Sequence, residues 1–398
     1  MRRWEGLLKE RLFFLAVPPL EASLAGGGYI YMDDLRALEQ VVLKGAPPLY
    51  CLGAIVTPYV VAEWERLLAS HPDRDFVAYI VRGITSGFRI GVDPSLINGQ
   101  FQSTNSNMQS ARDNAQVIDS YLGTECSLNR VIGPLPVDTP GIHVNRFGVI
   151  PKANQPGKWR LIVDLSHPTD FSVNDGIPQP LCSLRYVTVD SVVHIIQQCG
   201  KGALLAKLDL ESAYRNVPVH PSDRWLLGMK WKGALYVDAA LPLGLRSAPK
   251  IFNAVADALL WIMGFQGVPL GIHYLDDFLL VGKPGLGDCA HSLQTALATC
   301  QTLGVPVAPH KVEGPSTVLT FLGICLDTIN MKVRLPKDKL VRLQACIHTW
   351  EGKRMCIKRD LLSLLGMLHH AAKVVPPGRT FLRKMIDTST QNHHHIRL

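Results

Sequence analysis

What the chain lacks first is a long apolar run. Its most hydrophobic window, ALLWIMGFQGVPLGIHYL, is broken by Gln266, Pro269, His273 and three glycines. A bilayer-spanning helix needs about 20 apolar residues in succession, so this window reads as core, and no membrane partner is expected. The opening MRRWEGLLKE has two arginines but no clean apolar stretch before Pro18, which argues against a secretory leader. Cysteines number nine, scattered and without recurring spacing. That pattern suits a reducing intracellular setting, cytoplasm or nucleus, better than a disulfide framework. No repeat at a fixed period is present, which excludes solenoids and propellers. With 47% hydrophobic and only 19% charged residues, the composition also excludes a disordered chain.

The 398 residues can bury a sizeable core over two or three domains. The balance of 41 Lys and Arg against 33 Asp and Glu leaves a net charge of +8, which suits a polyanionic partner without specifying one. Up to about residue 95, short apolar segments alternate with Gly and Pro breaks, and VAEWERLLAS and FVAYIVRGI read as helices flanking the polar turn HPDRD. The stretch 98–110, NGQFQSTNSNMQS, is poor in apolar residues and reads as an exposed linker. From about 131 the pattern turns to short β-like runs mixed with helical ones. FGVIPKANQPGKWRLIVDLS is a hairpin signal, GALLAKLDL a buried strand. The stripe Ile251, Ala254, Val255, Ala258, Leu259, Ile262 predicts a helix, with Pro249 in its first turn and Ser247 as cap. LPKDKLVRLQACIHTW and KRDLLSLLGMLHHAAKVV predict two more helices.

One local pattern occurs twice: Tyr31-Met32-Asp33-Asp34 and Tyr274-Leu275-Asp276-Asp277. The first follows three glycines and precedes LRALEQVVL, whose apolar residues have helical spacing, so Asp33 and Asp34 read as a helix start where carboxylates cap free N–H groups. The second lies between the apolar runs GVPLGI and FLLVG, so Asp276 and Asp277 fall at the tip of a hairpin. Two divalent ions held ~4 Å apart require several converging carboxylates. Asp209, ending the buried strand, precedes Asp276 by 67 residues (276 − 209 = 67), room enough for a turn, a hairpin and a helix between neighbouring strands. Three acids so placed repel one another unless cations neutralise them. The second pair is therefore the candidate metal site.

These segments resemble the reverse transcriptases of retroelements. LDLESAYRNVPVHP resembles their first metal-binding motif, LPLGLRSAPKIFN the following loop and helix, and HYLDDFLLV the Tyr-X-Asp-Asp turn. GKWRLIVDLS is similar to the fingers hairpin and LGVPVAPHKVEGPSTVLTFLG to the approach to the primer grip. The wording of LPLGLRSAPKIF, the segment KRDLLSLLGMLHHAAKVVPPGRTFLR and the N-terminal AEWERLLASHPDRDFVAYIVRGITSGFRIGV are most similar to the DIRS-type retrotransposon group.

The resemblance implies an α+β right-hand polymerase: fingers and palm over 131–335, a helical thumb or connection over 336–398, and a mostly helical extension over 1–130. It implies RNA-directed DNA synthesis from dNTPs on a primed RNA or DNA template, with two Mg²⁺ ions for which Mn²⁺ can substitute. Asp209, Asp276 and Asp277 would be the catalytic ligands, with the Leu210 carbonyl completing one shell. Tyr214 would sit under the sugar and exclude a 2′-hydroxyl. Lys152 and Arg160 would reach the triphosphate, and strand alternation puts Lys158, Arg160, Ile162 and Asp164 on the face opposite Trp159, Leu161 and Val163. Gly244 would allow close approach to the nucleotide. Leu243 stands where many relatives of this type carry Gln. Phe321, Leu322 and Gly323 would hold the primer terminus, and Lys311 would assist the leaving group. Lys and Arg of the fingers and of the helices after 336 would meet nucleic-acid phosphates. RNase H activity would come from a missing or separate domain, no spaced carboxylate set being present after 336. Two rival readings stand beside this one: an inactive nucleic-acid-binding remnant, and an RNA-dependent RNA polymerase, against which Tyr214 speaks. GLGDCA (285–290) mimics a dinucleotide loop but reads as a strand–helix connector.

Overall fold

A computed structural model describes residues 11–12, 32–40, 53–97, 101, 103–104, 106–152, 157–375, 377–390 and 395–397. Its centre is a four-stranded antiparallel sheet ordered Glu313–Ser316, Leu204–Asp209, Asp277–Gly282, Gly271–Tyr274. Successive side chains of a strand point to opposite faces, and here both faces are covered. Ala206, Leu208, Phe278 and Leu280 join one apolar core, while Leu205, Leu279 and Val281 join a second. That double burial explains why the strand reads as a continuous apolar run, not as an alternation.

The first core contains the helix Ala248–Phe265, on which Ile251, Phe252, Ala254, Ala258, Leu259 and Ile262 are buried. Among the described residues it is the one helix long and apolar enough to cross a membrane, and 72% of it is buried inside the protein. Pro249 lies in its first turn as expected. Ser247 does not cap it through its side chain. Its backbone is already helical, and its buried hydroxyl donates to the Ile90 carbonyl at 2.7 Å instead, since a buried hydroxyl takes the acceptor within reach.

A second, five-stranded sheet runs Val131–Pro136, Ala234–Asp238, Gly228–Trp231, Val144–Pro151, Trp159–Asp164. Its last two strands form the anticipated hairpin, with Arg146 opposite Asp164 and Ile150 opposite Arg160. Leu161 and Val163 are buried while Arg160 is exposed, as the alternation requires. The stretch 98–110 departs from the expected free linker. Val144–Pro151 pairs with Gly228–Trp231 only through Val144 and Asn145, so its remaining edge groups need partners. Met108 N–H donates to the Phe147 carbonyl at 3.0 Å and Thr104 N–H to that of Val144 at 2.8 Å. Residues 109–110 already belong to the helix Gln109–Asp113.

The N-terminal helices Met32–Gln40, Val61–Leu67, Arg74–Ser86 and Ala115–Ser127 add Leu35, Leu38, Trp64, Ile80 and Ile118 to the first core. Asp33 and Asp34 lie in the first turn of Met32–Gln40, as expected, and Tyr31 is outside the described residues. The Asp34 carboxylate, however, accepts from Lys250 Nζ at 2.9 Å instead of serving as a cap. Lys250 is completely buried, and a buried ammonium requires a counter-charge more than a helix end does.

The second core continues through the hairpin Val318–Phe321 and Ile324–Asp327 into Lys337–Trp350 and Lys358–Ala371. A third helix, Gly378–Ser389, was not evident in the sequence. It packs Leu382 into the same core. The eight described cysteines are unbridged.

Candidate active site

Asp209 ends its strand directly opposite Asp277 on the neighbouring one. A directly paired cross-strand position puts both side chains on one face. Tyr274 pairs with Asp277 across the tip hairpin, leaving Leu275 and Asp276 as its two central residues. The Asp276 carbonyl accepts from Leu210 N–H at 3.0 Å, and the Asp209 carbonyl from Ala308 N–H at 2.9 Å. Backbone bonds from two directions thus fix the three aspartates that spacing alone had grouped.

Their electrostatics follow from that crowding. Asp277 is pushed up to about 7, first by burial, then by a hydrogen bond to Asp209 and the charge of Asp276. Burial also raises Asp276, with Asp209 adding to it and Lys311 and Arg160 opposing. Lys311 Nζ lies 2.6 Å from Asp209 Oδ1, a cation already drawn to the cluster. No three His, Cys, Asp or Glu side chains among the described residues form a ready metal cage. Like charges do not converge without positive charge among them; Lys311 touches Asp209 and only partly offsets the rise of Asp276 and Asp277. The donor set is oxygen-only, anionic and under mutual repulsion, which fits hard divalent cations.

Tyr214 lies on the 3₁₀ turn Ala213–Asn216 that follows the Asp209 strand. Its ring stacks on Phe252 of the core helix, with centroids 5.0 Å apart and 26° between planes. Its hydroxyl pKa is raised, by burial first and then by Asp276, so it borders the carboxylates. Arg160 is near enough to act electrostatically on Asp276. Lys152, at the mouth of the same hairpin, is exposed, and its N–H donates to the Lys158 carbonyl at 2.8 Å. Leu243 is 36% exposed. Gly244 has φ +101, and a Cβ there would stand 2.8 Å from the Val163 carbonyl. Its nearest crowding neighbour is therefore a strand of the five-stranded sheet. Asn174 ties this loop down by donating to the Gly244 carbonyl at 2.9 Å and accepting from Arg246 N–H at 2.8 Å.

Beside the tip runs a cleft of about 440 Å³ lined by Lys207, Tyr274, Asp277, Phe321, Leu322 and Gly323, among others. Leu322 and Gly323, with φ +50 and +69, make its tight turn. Lys339 and His370, one from each of two C-terminal helices, reach the Gly323 carbonyl at 3.2 and 3.1 Å.

Residues 150–326 match the family model described as reverse transcriptase (RNA-dependent DNA polymerase). The chain is similar in sequence to viral and transposon polyproteins. The Pro-Pol polyprotein of feline foamy virus is 24% identical over 249 residues, 61% of this chain and 19% of the relative. The Gag-Pro-Pol polyprotein of Mason-Pfizer monkey virus is 30% identical over 200 residues, 47% of this chain and 10% of the relative. The Pol polyprotein from transposon 412 of Drosophila melanogaster is 24% identical over 203 residues, 48% and 14%. The chain thus spans a fifth or less of these relatives' length. Among solved structures, a foamy viral protease–reverse transcriptase in complex with double-stranded DNA superposes with a TM-score of 0.57 at 17% identity, covering 89% of this chain and 59% of that one. Another such complex gives 0.55 at 17% identity, covering 87% and 69%. The fold is that of a right-hand polymerase.

Several residues around the site carry little or no signal in the sequence. Arg215, next to Tyr214, is buried and bonds Glu125 at 2.9 Å, lies 2.7 Å from Asp238, and donates to the Ala240 carbonyl at 3.2 Å. It thereby ties the turn under Tyr214 to the helix Ala115–Ser127 and to the strand Ala234–Asp238. A pair of oppositely charged neighbours to Arg215 lies 90 residues upstream and 23 downstream (238 − 215 = 23), which local patterning does not reveal. Buried His273 and half-buried Asp257 form a second pair, with Nε2 2.7 Å from Oδ1. Burial raises the Asp257 carboxyl. A lone aspartate on the apolar stretch NAVADALLW was the one available signal.

Proposed function

We propose that the chain is an RNA-directed DNA polymerase that extends a primer from dNTPs on an RNA or DNA template. The observation that carries this reading is Asp209 facing Asp277 across adjacent strands, with Asp276 at the hairpin tip and a lysine ammonium already drawn to the cluster. Asp209, Asp276, Asp277 and the Leu210 carbonyl would hold two divalent ions, Mg²⁺ or Mn²⁺ in its place. When bound, these ions supply a lowered pKa at the primer 3′-hydroxyl and counter-charge for the departing pyrophosphate.

The remaining roles belong to the chain's own residues. Tyr214, backed by Phe252, walls off the space a 2′-hydroxyl would need. Arg160 and Lys152 bind the triphosphate, the first as a planar fork and the second as a point charge. Gly244 and Leu243 place the loop against the nucleotide. Lys311, once released from Asp209, would assist the leaving group. The turn 321–323 holds the primer end, and the basic helices after 336 meet the duplex backbone as a thumb. The segment 1–130 would serve as an N-terminal extension to fingers and palm over 131–335. The resemblance of LPLGLRSAPKIF supports placing the chain in the DIRS-type group.

Primer extension on an RNA template tests the reading. Wild type should extend with dNTPs and Mg²⁺ or Mn²⁺, and Asp276→Asn should lower the rate by roughly a thousandfold, the loss of about 4 kcal/mol of transition-state stabilisation. Tyr214→Val should let ribonucleotides in by roughly 10- to 100-fold, the range that one steric contact supplies. Tight template binding with no extension by wild type would instead support the inactive remnant.

A further inference from the structure

Leu275 is the strained point of the tip hairpin. Its φ is +56, at the first of two central positions, where glycine is the usual residue. A side chain in that region costs roughly 1–2 kcal/mol, so something must hold the turn. Below it lies His273, 2% exposed, whose Nδ1 is 3.2 Å from the Leu275 carbonyl. A carbonyl only accepts, so Nδ1 carries the proton. The other ring nitrogen, Nε2, is 2.7 Å from Asp257 Oδ1, and Asp257 Oδ2 accepts from Asn253 Nδ2 at 2.9 Å. Asn253 and Asp257, four residues apart, share a face of the core helix. The imidazole also stacks on Phe278, with centroids 5.1 Å apart and 24° between planes. Both ring nitrogens of His273 and both carboxylate oxygens of Asp257 are paired, and the relay ends at the carbonyl of the strained residue.

We propose that His273 and Asp257 are positioning residues: anchored on the core helix, they clamp the Leu275 carbonyl, hold the left-handed turn and so aim Asp276 and Asp277. The inference rests on the reading that these two aspartates take divalent ions. The same helix backs Tyr214 through Phe252, so one rigid element sets both the metal turn and the wall beneath the sugar. A rigid first shell requires such support, because a turn that wanders by about 1 Å loses its aim.

The test uses the full chain carrying His273→Phe with Asp257→Asn. Phenylalanine keeps the ring stack, and asparagine leaves no stranded charge while still bonding Asn253. Amide hydrogen exchange across residues 275–278 should speed up about tenfold, the equivalent of one lost hydrogen bond, while the helix Ala248–Phe265 stays protected. The Mn²⁺ concentration for half-saturation, followed by electron paramagnetic resonance, should rise by a similar factor, with the KM for dNTP within about twofold. Adding Leu275→Gly should reverse much of both effects, because glycine takes positive φ without strain. Unchanged exchange and metal binding, or changes that Leu275→Gly leaves in place, would overturn the proposal. Should the double variant fold poorly, His273→Gln, which keeps one donor for Leu275, should fall between it and wild type; a Gln variant as impaired as Phe also counts against the clamp. Wild type that neither binds Mn²⁺ nor extends primers would refute the polymerase reading, while the exchange comparison would still decide whether the relay holds the turn.

Discussion

Asp33-Asp34 and Asp276-Asp277 are the same dipeptide in the same local wording, and the fold gives them opposite tasks. Asp33 points into solvent, 94% exposed and 3.5 Å from Arg36. Asp34 meets the ammonium of Lys250, whose side chain is wholly buried. Each carboxylate of the first pair has a cation supplied by the fold, so its charge is spent on structure. The second pair has carboxylates for neighbours. Asp276 and Asp277 lie beside Asp209, and burial with mutual repulsion raises both. A carboxylate with a built-in counter-ion is a clamp, whereas carboxylates that repel one another are a receptor for positive charge. Residue type and adjacency are the same in both; the sign of the surroundings differs.

The largest separation should come from Asp276→Asn against Asp34→Ala. The first should slow extension roughly a thousandfold, with the melting temperature held or raised, because it removes a repelling charge. The second should leave Lys250 buried without its partner and destabilise the protein by about 3–5 kcal/mol in a denaturant titration. Next in size, Asp34→Leu combined with Lys250→Met should recover most of that loss, since removing both charges leaves nothing unpaired. If the double variant is no better than Asp34→Ala, the clamp account is wrong.

A pH series sharpens the contrast further. Asp277 stands at about 7 in the folded chain against a reference of 3.8, so the folded state holds the extra proton. Its contribution is fully present below pH 3.8 and is lost as pH rises through 7. The stability difference between wild type and Asp277→Asn in metal-free buffer should therefore fall from pH 4 to pH 7. Millimolar Mg²⁺ should flatten that slope. The smallest effect is expected for Asp33→Ala: an exposed pair contributes little, so unfolding free energy should change by less than about 0.5 kcal/mol and extension not at all.

Much of the site could be read without coordinates because its signals are local. The hairpin around Asp276 shows in apolar runs on both sides of two residues. The helix Ala248–Phe265 shows in its own periodicity, and the strand ending at Asp209 in an unbroken apolar run. The misreadings arose where a neighbour distant in sequence supplied the partner. Ser247 was taken from its cap by Ile90, and the polar stretch before 110 was held by a strand edge with no other partner. Arg215 gives no local sign of its role, because Glu125 and Asp238 reach it only after folding.

Sequence alone determined the order of strands and helices around the three aspartates, and which of the two pairs sits on a hairpin, because backbone periodicity and turn chemistry are set by residues within a few positions of one another. What each charge meets depends on long-range packing. Lys250 finds Asp34 across 216 positions and His273 finds Asp257 across 16, and a buried charge is settled by whichever group the packed core carries to it.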